Sequence, residues 1–226
     1  MDNRLLFLGL EMPPNLFGRE VIHCPLIRII PRAPSDVGIE TAFRKFPSCT
    51  HILFTSKSAV HIFFSFFSYF HIDVKDVQKK QILAVGKRTA LCVEQYVDCS
   101  PLVARNESAE GVIELLSSLR PNSRETWKDW LLFWPHAAKS RPVLEQWMQE
   151  NFLAFCAPVV YDTVSIKPDR LPSPHTYDEI VFTSPSVVEA YLEIFGSLPA
   201  DKVLTSIGPI TEQRLQLEIT LNKLNK

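Results

Sequence analysis

Two pairs of short segments in this chain have the residue types and spacing to capture an anion. His51-Ile52-Leu53-Phe54-Thr55-Ser56-Lys57-Ser58-Ala59-Val60 is matched by Glu179-Ile180-Val181-Phe182-Thr183-Ser184-Pro185-Ser186-Val187-Val188. Further on, Ile82-Leu83-Ala84-Val85-Gly86-Lys87-Arg88-Thr89-Ala90 is matched by Leu204-Thr205-Ser206-Ile207-Gly208-Pro209-Ile210-Thr211-Glu212, in the same order. In the first pair an apolar run ends at Thr-Ser, where Ser56 and Ser184 suit the N-cap of a following helix and Pro185 suits its first turn. In the second pair Gly86 or Gly208 follows an apolar run directly, and glycine there permits a tight turn and close approach of a ligand to the backbone. The chain has only 7 glycines, so two at matching places mark those places out. Helix N-termini offer unpaired N–H groups and the positive end of the helix dipole to an anion. Lys57 follows Ser56, and Lys87 and Arg88 follow Gly86; cations are disfavoured in a first helical turn, so their presence predicts a compensating anion. Pro185, Pro209, Ile210 and Glu212 stand in the second copy, so the ligand's charge is expected mainly on the first copy's side. Lys139-Ser140-Arg141 makes a third basic group. The plainer alternatives are that the hydroxyls only cap helices and that Lys139–Arg141 is a solvated turn.

Other chemistries lack their residues. The chain has no G-x-S-x-G, no G-x-x-x-x-G-K-[ST], no G-x-G-x-x-G and no H-E-x-x-H, which removes support from serine hydrolases, P-loop enzymes, dinucleotide dehydrogenases and zinc proteases. His23, His51, His61, His71 and His175 have no metal-ligand spacing, and His136 reads either as a proton donor or as a loop histidine. Cys24, Cys49, Cys92, Cys99 and Cys156 are odd in number and widely spaced, which reads as reduced, mostly buried thiols rather than a metal or nucleophilic site. Lys+Arg 24 against Asp+Glu 25 gives a net charge of −1, so no global charge draws the chain to nucleic acid or anionic lipid. The start, residues 1–14, lacks the features of a signal peptide, and the Phe-rich stretch Ile52–Ile72 carries too many polar residues to span a membrane. These features predict a cytoplasmic protein.

The elements that must position these residues follow from periodicity. Strands are expected at Arg4–Leu10, Thr50–Phe54, Gln81–Val85, Cys99–Val103, Trp130–Trp134, Glu179–Thr183 and Lys202–Ile207. Helices are expected at Gly38–Phe46, Lys57–Phe70, Arg88–Tyr96, Ser108–Leu119, Ser140–Asn151, Val187–Phe195 and Thr211–Leu217, with a short helix or turn at Met12–Gly18. Val21–Ile30 and Phe155–Val164 are extended and interrupted by Pro25 and Pro158. Such alternation predicts an α/β protein with parallel sheets. At 226 residues the chain is long enough for two domains. The internal duplication and the two proline-bearing extended segments predict a discontinuous α/β domain (1–30 plus 163–226), an inserted α/β domain (37–153) and connector strands (24–36 and 154–167).

At Pro25-Leu26-Ile27, Phe54-Thr55-Ser56, Val85–Ala90, Ser108-Ala109-Glu110-Gly111, Val159-Val160-Tyr161, Phe182–Ser186 and Ile207–Thr211 the sequence resembles the uroporphyrinogen-III synthases. The resemblance implies two flavodoxin-like parallel-sheet domains joined by a two-stranded β connector, with the active site in the interdomain cleft. It implies a hydro-lyase of haem biosynthesis that closes hydroxymethylbilane with loss of water and inversion of the last pyrrole ring. It implies no metal and no organic cofactor, and a monomer that makes transient contact with the preceding bilane-forming enzyme. Tyr161 is then the candidate to assist departure of the hydroxyl, or else a connector tyrosine that anchors a hinge. Ser56, Lys57, Gly86, Lys87, Arg88, Thr89, Lys139, Ser140, Arg141, Ser184, Ser186, Gly208 and Thr211 become candidates to hold the substrate's carboxylates. The sequence departs from the family at Leu10-Glu11, where Thr-Arg is common, and at Pro135-His136-Ala137-Ala138, where Arg-Gly is common. It also ends soon after Leu217, where the family usually adds another strand and helix. The alternative function is a catalytically degenerate two-domain binding module for a polycarboxylate or another anion.

Overall fold

The computed structural model describes residues 4–12, 18–120 and 127–224. The strands are β1 (Leu5–Phe7), β2 (Val21–His23), β3 (Ile27–Pro31), β4 (His51–Phe54), β5 (Gln81–Ala84), β6 (Leu102–Val103), β7 (Leu131–Phe133), β8 (His136–Ala137), β9 (Ala154–Cys156), β10 (Val159–Ser165), β11 (Glu179–Phe182) and β12 (Val203–Ser206). The helices are α1 (Val37–Lys45), α2 (Lys57–Ser65), α3 (Phe67–Phe70), α4 (Val74–Gln78), α5 (Lys87–Glu94), α6 (Ala109–Leu119), α7 (Val143–Glu150), α8 (Pro185–Phe195) and α9 (Pro209–Leu224). The chain divides into two units, one of Met1–Ile29 with Thr163–Lys226, the other of Ile30–Asp162.

In the first unit the sheet order is β12-β11-β1-β2, and every pair is parallel. β1 is buried along its whole length, as a strand covered on both faces must be. One face packs Leu6, Ile180, Phe182 and Leu26 against Val187, Val188 and Leu215 of the two helices.

In the second unit the order is β6-β5-β4-β7-β9, again all parallel. Its core is aromatic. Phe133 of β7 lies 5.1 Å from both Phe43 and Phe46 in edge-on contact, and Phe43 stacks on Phe70 at 4.3 Å. Phe54, Phe63 and Phe133 are fully buried, which contributes roughly 1.5–3 kcal/mol each. The two sheets share a strand order: β12-β11-β1-β2 runs as β5-β4-β7-β9 does, with the duplicated sequences on the paired strands β11 and β4, β12 and β5. Within the second unit, chain order alone reads 3-2-1-4-5, so the sheet reverses direction of growth between β4 and β7. Such a reversal opens a crevice at the carboxyl ends of the strands.

Several expected elements differ in detail. The helix expected over Lys57–Phe70 breaks at Phe66 into α2 and α3, and the second piece ends at His71, whose φ of 54° is left-handed. The break lets both Phe66 and Phe70 reach Phe43. Phe155–Val164 is two strands, because Pro158 lacks the N–H that would continue β9. His136–Ala137, expected as loop, pairs with Val159 and Tyr161 as β8. The last helix runs from Pro209 to Leu224 instead of ending at Leu217. The turn expected over Met12–Gly18 falls, at residues 13–17, outside the described residues.

Candidate active site

The carboxyl edge of the second unit's sheet assembles around one hydrogen bond. β4 ends on the buried Phe54, and the chain turns through Thr55 to Ser56, which caps α2 with φ −160° by accepting the Ala59 N–H at 3.0 Å. Tyr161 arrives from β10, held where Ala137 of β8 pairs with it and the Ala138 N–H donates to its carbonyl oxygen at 2.9 Å. Its Oη lies 2.9 Å from Ser56 Oγ. Ser56 Oγ accepts from Ala59, and either hydroxyl can donate in its contact with Tyr161. When Ser56 donates, the phenol O–H is left to point onward, and Ala59 N–H, Ser56 O–H and Tyr161 O–H form a relay in which each bond polarises the next. Tyr161 is 6% exposed, and burial pushes its pKa up although the bond from Ser56 pulls it down. The side chain is therefore a neutral phenol and a hydrogen-bond donor.

At the carboxyl ends of β4 and β7 the Trp134 indole N–H donates to Thr55 Oγ1 at 3.2 Å. His136 stacks on Trp134 at 4.3 Å, with Nδ1 at 3.0 Å from the Ala137 carbonyl oxygen and Nε2 at 3.2 Å from that of Ala157. Burial pulls the His136 pKa down against the opposite pull of those two carbonyls. Thr55 belongs to the repeated motif and Trp134 to no motif; only the parallel pairing of β4 with β7 brings them together.

One backbone N–H and one cation of the basic groups meet carboxylates of the chain itself. Gly86 precedes α5 in extended backbone, and a Cβ there would lie 2.4 Å from Glu107 Cδ. The Lys87 N–H donates to Glu107 Oε1 at 3.2 Å, so an internal carboxylate already stands at this helix start. Arg141 makes two hydrogen bonds of 2.9 Å to Glu110, and holds that exposed carboxyl down at about 2. Lys57 is half-buried, Lys87, Arg88 and Lys139 are exposed, and Ser140 donates its N–H to the Ala137 carbonyl oxygen at 3.1 Å. Thr89 is only 5% exposed, inside the packing beneath α5.

The first unit holds the remaining candidates. Ser184 occupies the N-cap of α8 without a side-chain capping bond, with Pro185 after it and Ser186 half-buried in the first turn. A Cβ at Gly208 would meet nothing within 4 Å. Thr211 is 3% exposed, as enclosed as its counterpart Thr89. The Ser206 hydroxyl donates to Glu212 at 2.7 Å. Among the described residues, no cluster of three or more His, Cys, Asp or Glu is placed to hold a metal, and no helix is long and apolar enough to cross a membrane.

Comparison with known proteins decides the family. The family model HEM4, uroporphyrinogen-III synthase HemD, matches residues 15–221, most of the chain. The chain belongs to the uroporphyrinogen-III synthase family. It is accordingly a hydro-lyase of haem biosynthesis. Solved uroporphyrinogen-III synthases have the same fold. The chain is similar to a mutant of the enzyme from the extreme thermophile Thermus thermophilus, with TM-score 0.65 and 14% identity, over 95% of this chain and 88% of that one. It is also similar to the enzyme from Helicobacter pylori, with TM-score 0.59, 18% identity and the same coverage of 95% and 88%. No individually curated protein matches the chain.

Proposed function

We propose that Tyr161, backed by Ser56, assists the first step of the reaction this family performs on hydroxymethylbilane. The terminal hydroxyl leaves as water, and the bilane becomes an azafulvene. The last pyrrole ring then attacks through its substituted carbon, the resulting spirocyclic pyrrolenine fragments and recloses, and the type III macrocycle loses a proton. Departure of hydroxide needs a donor that stays protonated at neutral pH. A phenol with a raised pKa, polarised from behind by Ser56 and the start of α2, meets that need without a strong acid. The remainder of the task is to hold one conformation of a reactive intermediate, because the bilane closes unaided to the wrong isomer.

The substrate's acetate and propionate groups are read as meeting backbone N–H groups at the helix starts near Gly86, Gly208 and Ser184, with Lys57, Lys87, Arg88, Lys139, Ser140, Arg141 and Ser186 around them. Thr89 and Thr211 then serve beneath those helix starts. The shared strand order of the two sheets supports two flavodoxin-like units, since β7-β9 before β4-β5-β6 is a circular permutation of the flavodoxin order.

The observation that carries the reading is the 2.9 Å Tyr161–Ser56 contact in a chain of this family. The test is to supply fresh hydroxymethylbilane, oxidise the products and resolve the isomers. Type III product is expected; type I alone would leave only a binding role.

A further inference from the structure

The sequence treats the five cysteines alike, but the structure sets Cys156 apart. Cys156 ends β9, the edge strand of the second unit's sheet, opposite Phe133 of β7. Partners in register point to the same face. Phe133 packs under α1, against Phe43 and Phe46, so the Cys156 thiol faces that side too. There a cavity of about 440 Å³ opens between α1 and residues 155–159, with Thr41, Lys45, Phe155 and Cys156 in its wall. Two further charged groups on its rim are engaged: Arg32 bonds both carboxylate oxygens of Asp162 at 2.8 and 3.0 Å, and Asp36 accepts the Gly38 N–H at 2.9 Å.

A second thiol and a cation serve Cys156. Cys49 lies beside it, its S–H donating to the Lys45 carbonyl oxygen at 3.5 Å. Turned toward Cys156, the Cys49 S–H stabilises a thiolate there, burial opposes it, and the Lys45 ammonium adds to the stabilisation. The balance holds Cys156 below the ordinary thiol range, while Cys49 is pushed up by the same partner and by burial. Thiolate, not thiol, is the nucleophile.

We propose that Cys156 is a modification site that accepts a small anionic disulfide from the cavity side. The Cys156 thiolate attacks one sulfur of the disulfide, the S–S bond breaks, and the other sulfur leaves with the electron pair as a thiolate. The product is a mixed disulfide on Cys156, and no further oxidant is consumed. Lys45 at the mouth selects for negative charge, and the cavity sets the size.

The test uses the native chain and dithiobis(nitrobenzoate), a dianionic aromatic disulfide, with release of its coloured thiolate followed in time and the labelled peptide identified by mass. Exposure alone favours Cys99, the one cysteine of the five that is not buried. The expected result is that Cys156 reacts first. Cys156→Ser removes the fast phase, and Cys49→Ser slows it by about threefold or more, the loss of thiolate being partly offset by the higher nucleophilicity of a more basic sulfur. Lys45→Gln slows the dianionic reagent and spares an uncharged dithiodipyridine. A fast phase that maps to Cys99, or that survives in Cys156→Ser, or labelling of Cys156 only after unfolding, overturns the proposal. Equal slowing of both reagents by Lys45→Gln overturns the selection for anions. The peptide map of the unmutated chain decides the main point even if a variant fails to fold.

Discussion

At the end of β4 the Ser56 hydroxyl accepts the Ala59 N–H and meets the phenol of Tyr161. At the end of β11 Ser184 holds the same backbone position, φ −159° against −160°, and makes no capping bond. The reason lies one residue on. Pro185 pre-sets the first helical φ, and the Val187 N–H, counterpart of the Ala59 N–H, donates at 3.1 Å to the Ser184 carbonyl oxygen rather than to its hydroxyl, whereas α2 starts on Lys57 and uses the Ser56 hydroxyl as its cap. The glycine junctions differ in the same direction: Gly86 has a carboxylate against it and Gly208 has open space. One copy of the repeat commits its hydroxyl and its helix start to partners within its own unit, and the other leaves both open. Two copies of one motif have thus taken different tasks on the same strand order.

The sharpest way to break this contrast is at Tyr161. Tyr161→Phe keeps the ring and removes the donor, so kcat is expected to fall by about a hundredfold while KM stays within about twofold. Steady-state kinetics with isomer analysis checks it, and a loss confined to KM would reduce Tyr161 to a positioning residue. The pH profile sharpens the same point. Burial raises the Tyr161 pKa above the ordinary value of about 10, so this phenol contributes no alkaline loss of kcat below that pH. Comparison of wild type with Tyr161→Phe up to about pH 10 tests this.

The caps should separate by stability. Ser56→Ala is expected to cost about 1 kcal/mol in denaturant unfolding, and Ser184→Ala no more than a few tenths. Equal costs would mean that the two junctions are capped alike. A smaller effect is expected at Glu107. Glu107→Gln removes an acid from the start of α5 and should cost roughly 0.3–1 kcal/mol. It should also lower KM for the bilane if that helix start receives a substrate carboxylate, and a raised KM would count against the competition.

Acid should distinguish the units most gently. His51 and Glu179 each open the strand that carries the motif. Burial lowers the His51 pKa to about 4, against Trp130 stacked at 3.4 Å. The unfolded chain therefore takes up this proton first, and the second unit's stability is full above about pH 6.5 and declines as pH falls toward 4. For Glu179 burial raises the pKa, but the hydrogen bonds from Thr205 and Arg19 outweigh it and hold the carboxyl below its usual range. Its contribution is lost only at lower pH, as pH falls through that depressed value. Hydrogen exchange at stepped pH should show β4 losing protection before β11, and His51→Phe should remove the difference.

Much of the fold was legible in the residues. Short apolar runs between turn signals located β4, β5, β7 and β11 to within a residue or two, because strands covered on both faces read as continuous apolar runs; the half-exposed edge strand β12 was located by its match to β5 in the repeat. The two-residue β8 was not legible: it has no periodicity of its own and exists only because Val159 and Tyr161 pair with it. The break at Phe66 was hidden because a helix apolar on several faces gives no sign of where its rings must turn. In the site, Ser56 as a cap was readable from local sequence, since a cap acts across three residues. Glu107 was not, for its carboxylate acts 20 residues away from a loop that reads as solvated.

By itself the sequence determined where the strands of the repeated motifs lie, which hydroxyls and glycines sit at their ends, and to which family the motifs are similar. Periodicity and capping are short-range properties, and short-range order is written directly in residue types. The tertiary structure alone decided that Tyr161 meets Ser56 across 105 residues, that the Trp134 indole reaches Thr55, that the Lys87 N–H meets Glu107, and that Arg141 pairs with Glu110. Those pairings depend on which strands lie side by side and in what register. Strand order is settled by the packing of the whole sheet, and no single segment carries it.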